Sequence, residues 1–184
     1  MKIFEVYAKV KLNQKPNWLD DFRFKYDEPF EYHVTLKQPC FIEEDKILDI
    51  KNKLNNLFLN LKIPNHEIAL TFDSLKIPPY TPDVCIMINA SNINEILKLQ
   101  KNVLLVLSEY SQYCEIKTKE YEENFEPHIT IAKNLDEQSY LLAAKELEQD
   151  YLCEGIVKEV VLVIVDNPNV VEASNPKNQT IFSL

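Results

Sequence analysis

Two of the three histidines in this 184-residue chain stand two residues ahead of a threonine: His33-Val34-Thr35 and His128-Ile129-Thr130. The flanks match as well, because residues 28–36 and 123–131 share the pattern E-x-F-E-x-H-V/I-T-L/I. Two imidazoles and two hydroxyls are what phosphodiester chemistry needs when it runs without a metal. In-line displacement at phosphorus takes a base on the attacking oxygen and an acid on the leaving oxygen, on opposite sides. Imidazole titrates near neutrality, so one ring can be neutral while the other is protonated. Two hydroxyls can donate to the non-bridging oxygens, where charge builds. The third histidine, His66, lacks the threonine and reads as an ordinary surface or loop residue. No ligand spacing supports a zinc site built from His33, His66 and His128.

The elements that must position these groups can be read from patterning. On a strand, residues i and i+2 share a face. His33 and Thr35 therefore project together, as do His128 and Thr130, with Val34, Leu36, Ile129 and Ile131 on the opposite, apolar side. The same parity puts Lys37 beside His33 and Thr35, in reach of a phosphate. Strands are expected over residues 3–12, 33–36 (stopped by Pro39), 67–75, 84–89, 129–132, 156–165 and 180–182. Helices are expected over residues 16–23, 43–61, 91–110 and 136–151, the last with Asp136 as N-cap. Residues 166–178, rich in Asn and Pro, read as a loop. After the first strand one order appears twice: helix, His/Thr strand, helix, strand, strand. The expected fold is α+β, a single bilobal domain over residues 1–184. Its two pseudo-symmetric lobes, each an antiparallel sheet flanked by helices, come from two internal repeats of roughly 90 residues and face a central cleft.

Composition narrows the chemistry. Gly155 is the only glycine, which excludes the Gly-rich phosphate turns of P-loop and dinucleotide-binding proteins. A net charge of −9 opposes wrapping of long nucleic acid, while leaving room for a small nucleotide or an RNA-end phosphate. The four cysteines form no Cys-x-x-Cys pair and read as reduced core residues of a cytoplasmic protein. No membrane span and no cofactor are expected, and the chain is expected to be a monomer.

These residues resemble the two-histidine (2H) phosphoesterase superfamily, which includes the LigT-type 2′-5′ RNA ligases and the YjcG-like proteins. The stretch Phe125-Glu-Pro-His128-Ile-Thr130-Ile-Ala-Lys133 and the earlier Tyr32-His33-Val-Thr35-Leu36 carry the resemblance. It implies a LigT-like fold, with His33 and His128 as catalytic acid and base and Thr35 and Thr130 holding the phosphate. It further implies a metal-independent phosphodiesterase that opens 2′,3′-cyclic phosphates or acts on 2′-5′ linkages in RNA processing, with reversible ligation as a related activity. Lys133 stands nearest the place where many LigT-type members carry arginine. Tyr80 and Tyr121 are candidates to stack a base. Phe30 and Phe125, three residues before each His, are expected to face away and close the cores. The alternatives are a non-catalytic nucleotide sensor and a protein-interaction module on the same fold.

Overall fold

Phe4, Val6, Ala8 and Val10 alternate along the first strand, and each is buried on one side of it. Burying an aliphatic or aromatic side chain of this size contributes about 1.5–3 kcal/mol, so the alternation fixes which face of β1 (Lys2–Gln14) meets the core. The computed structural model describes residues 1–27, 30–147 and 150–184. Glu28, which opens the first copy of the repeat, and Glu148-Gln149, within the expected helix 136–151, lie outside the described residues.

Then follow α1 (Leu19–Tyr26), β2 (His33–Ile42), α2 (Ile47–Asn60), β3 (Ile68–Lys76), β4 (Ile86–Ala90) and α3 (Asn94–Val106). The second half holds α4 (Thr118–Glu123), β5 (His128–Ala132), α5 (Glu137–Glu146), β6 (Cys153–Val165), α6 (Val170–Ala173) and β7 (Gln179–Ser183). Asp136 does cap α5, accepting from the Ser139 N–H at 2.7 Å. Two short helices, α4 and α6, were not expected; each is too brief for a 3.6-residue period to register. Strand β2 runs through Pro39 instead of stopping there. It is an edge strand, and its register against β1 slips between Phe4 and Val6, so the missing proline N–H falls at a bulge.

The strands form one antiparallel sheet in the order β2-β1-β6-β3-β4-β5, with β7 also on β6. β6 pairs with β1 along its length, with β3 through Cys153–Val157 and with β7 through Glu159–Val163. The strands of the two halves are thereby exchanged: β6 and β7 extend the sheet around β2, and β3 and β4 extend it around β5. Gly155 lies where β6 runs between β1 and β3; a Cβ there would meet Val10 Cγ1 at 2.8 Å and the Lys11 carbonyl at 3.1 Å. Helices α1–α5 cover one face, with Ile50, Leu54, Ile96, Leu99 and Val103 in a contiguous core, while α6 lies on the other, its Ala173 packed against Ile3, Tyr7 and the valines of β6. His33, Thr35, His128 and Thr130 are on the other face. Among the described residues no helix is long and apolar enough to cross a membrane.

Candidate active site

The glutamate two residues before each histidine sets the imidazole. His33 Nδ1 lies 2.9 Å from the Glu31 carbonyl, and His128 Nδ1 lies 2.7 Å from the Glu126 carbonyl. A carbonyl only accepts, so both Nδ1 atoms carry hydrogen and the neutral rings keep a lone pair on Nε2. The two glutamate side chains are anchored in turn. Glu31 accepts from the Tyr7 hydroxyl at 2.6 Å and pairs with Lys9 at 2.6 Å. Glu126 accepts from Asn89 at 3.1 Å and pairs with Lys76. Strand parity assigns this repeated glutamate no role; its fixed distance from each His is the signal in the sequence that points to it.

Neighbouring strands complete the half-sites. Across β1, His33 faces Lys9 and Thr35 faces Tyr7; across β4, His128 faces Asn89 and Thr130 faces Met87. Thr35 Oγ1 donates to Glu5 at 3.2 Å, and the Cys85 thiol lies beside Thr130. The His33 ring packs against Tyr7, with centroids 5.0 Å apart, and against Phe30 at 5.1 Å. Phe30 was expected in a core; it lines the His33 side of the sheet, its ring edge-on to Tyr7 at 5.6 Å. Phe125 does pack against the main core. Arg23 holds the Phe30 carbonyl at 3.0 Å, fixing the approach to His33.

The two ends of the strand order come together. The Lys133 N–H donates to the Tyr26 carbonyl at 3.2 Å, joining the end of β5 to the end of α1. Burial pulls the His33 pKa down to about 4, and the positive charges of Lys133, Arg23 and His128 push the same way. Burial also lowers His128, but there the Glu126 carboxylate favours the protonated ring. Lys133 is half-buried, acts on Glu5, His33 and Cys85, and forms no ion pair within 4.0 Å among the described residues.

Lys37 does not reach this cleft. The register slips between Val6 and Tyr7, where Thr35 pairs with Tyr7 but Lys37 pairs with Val6. The extra residue, Leu36, reverses the parity and turns Lys37 into the core, 2% exposed. There it pairs with Glu122 at 3.0 Å, beneath the ring of Tyr113. The second strand does the same. Thr130 pairs with Met87 and Ala132 with Ile86, so Ile131 is the extra residue and Ala132 is buried. The Tyr80 hydroxyl donates to the Leu135 carbonyl at 3.3 Å and its ring packs on Tyr140, 5.5 Å away. Tyr121, on α4, is 59% exposed and has no ring or hydrogen-bond partner among the described residues. His66 sits in a turn and bonds the Leu184 carbonyl at 2.9 Å. Among the described residues no group of three or more His, Cys, Asp or Glu side chains is placed to hold a metal.

This geometry has relatives. Residues 14–169 match the family model of the 2′-5′ RNA ligase superfamily. No curated protein sequence matches the chain. Among solved structures, the chain is similar to E. coli LigT complexed with 3′-AMP, at TM-score 0.57 and 12% identity, covering 100% of this chain and 96% of that one. TT0787 of Thermus thermophilus is similar at TM-score 0.56 and 17% identity, with coverage of 100% and 95%. Kluyveromyces marxianus Usb1 is similar at TM-score 0.55 and 10% identity, with coverage of 99% and 98%. The likeness of fold extends over the whole chain, and the family match spans both His/Thr strands. The chain belongs to the 2′-5′ RNA ligase superfamily, the two-histidine phosphoesterases.

Proposed function

We propose that the cleft hydrolyses a phosphodiester at a 2′,3′-cyclic phosphate or a 2′-5′ linkage, on a small nucleotide or an RNA end, without a metal. The observation that carries this reading is the matched pair of Nδ1–carbonyl bonds, which leaves both Nε2 atoms for proton transfer beside a threonine hydroxyl. His33, half-buried against the rings of Tyr7 and Phe30 and near Lys133 and Arg23, is suited to be the neutral base that takes a proton from the attacking water. His128, beside the Glu126 carboxylate, is suited to deliver a proton to the leaving oxygen. Thr35 and Thr130 donate to the non-bridging oxygens, and Lys133 supplies the positive charge. With the 5′-hydroxyl of a second RNA end in place of water, attack on the cyclic phosphate would form a 2′-5′ bond as the bond to the 3′-oxygen breaks and that oxygen takes a proton; attack by the freed 3′-hydroxyl reverses the step. Tyr121, exposed on α4, is the candidate to stack a base. The chain is read as one bilobal domain of two duplicated halves, whose exchanged strands would keep them from folding separately.

The test is turnover of 2′,3′-cyclic nucleotides, 2′-5′ oligoadenylates and cyclic-phosphate-ended RNA in the presence of chelator. His33→Ala and His128→Ala should each lower kcat by about 10²–10⁴-fold. Activity that survives both substitutions overturns the mechanism. So does activity that chelator abolishes and a divalent metal restores.

A further inference from the structure

Glu5 is a carboxyl group at the place where the Proposed function puts a phosphate, and that reading gives it no part. It lies on β1 between Ile3 and Tyr7, sharing their face, opposite Val163 of β6. Its recorded bond is to Thr35 Oγ1 at 3.2 Å. No cation pairs with it within 4.0 Å among the described residues. The charged and titratable groups around it are Lys133 at the end of β5, Tyr7 on β1 itself and Cys114 ahead of α4; β6 presents only Val163. In the other half the group beside the threonine is the thiol of Cys85, which is uncharged in its ordinary form.

A threonine hydroxyl has one proton to give. While Thr35 donates to an ionised Glu5, it has none for a phosphate oxygen, and a carboxylate beside an oxyanion is repulsive. A protonated Glu5 removes both obstacles at once. We propose that Glu5 is a positioning residue of the phosphate site: in its acid form it donates to Thr35 Oγ1 and turns the hydroxyl proton of Thr35 toward the phosphate, so that the site takes up a proton as it takes up the anion. Burial supports this, since it pushes the Glu5 pKa upward, against the opposing effects of Thr35 and Lys133. The inference rests on the reading that this cleft holds phosphate. It does not depend on whether the bound ester is cleaved.

The probe is sulfate, a tetrahedral oxyanion whose charge stays fixed across the range, titrated calorimetrically between about pH 5 and pH 9. The histidines contribute equally to wild type and Glu5→Gln, so the difference between the two isolates Glu5. Wild-type Kd should rise with pH by up to about tenfold per unit more than that of Glu5→Gln, as expected for one linked proton. Calorimetry in buffers of different ionisation enthalpy should show a larger proton uptake on sulfate binding by wild type. Equal pH dependence and equal proton uptake overturn the proposal, as does the absence of saturable sulfate binding. Should Glu5→Gln fail to fold, infrared difference spectra of the wild type decide. A protonated carboxyl band gained with sulfate is expected, and its absence overturns the assignment. A cleft that shows this linkage but hydrolyses no diester would leave the proposal standing and refute the enzymatic reading alone.

Discussion

The two half-sites share a scaffold and differ in almost everything attached to it. In both, a glutamate carbonyl holds Nδ1, the threonine follows at the second position, and a bulge comes immediately after it. Around that scaffold, His33 is boxed by Tyr7 and Phe30, whereas His128 has the Glu126 carboxylate and Asn89 for neighbours. Thr35 meets a carboxyl group and Thr130 a thiol. The comparison teaches that repetition supplies the geometry and the surroundings supply the chemistry. Identical environments would give both rings the same proton affinity, and an acid–base pair needs them apart.

The largest effect expected from breaking this comparison is on stability. The bulges send Lys37 and Ala132 to matching core positions, one a charge and the other a methyl group. Lys37→Met leaves Glu122 buried without its cation and should cost about 3–5 kcal/mol in denaturant unfolding. Adding Glu122→Leu to it should recover much of that loss, and a double variant as unstable as the single one would contradict the pairing. Next come the threonines. Thr35→Val and Thr130→Val should each reduce kcat by about 10²–10³-fold if both donate to the charge that builds in the transition state. A large loss in one and none in the other would mean that only one half-site holds the oxygens. The smallest effect is a pH shift. Phe30→Ala opens His33 to water, so its pKa should rise toward the ordinary value. A base works only above its own pKa, so the acidic limb of kcat/KM should move to higher pH by about one unit. A shift of the alkaline limb instead would exchange the roles of the two histidines.

The four central side chains were legible because strand parity is a local property and the motif occurs twice. Most of the elements were legible for a similar reason: their apolar residues recur with a period the sequence displays. Lys37 shows where that logic fails. Parity holds only while the ladder stays in register, and the slip at Leu36 is set by the partner strand β1, which no pattern within β2 reports. Phe30 was misplaced because it precedes β2, where strand parity does not reach, and packs on Tyr7, more than twenty residues away in sequence. Glu5 stayed invisible because it meets Thr35 only through the fold, 30 residues away in sequence, without any motif of its own.

The exchange of strands through β6 also bears on how this cleft can move. Enzymes with two lobes on either side of a site commonly close by hinging at a linker. Here two strands, β1 and β6, each 13 residues long and hydrogen-bonded to one another, run through both halves. A hinge at that junction would have to tear the ladder at the centre of the sheet. The spacing of the imidazoles is therefore held by backbone, like the jaws of a fixed gauge, and accommodation of different substrates falls to the side chains and surface segments around the rim.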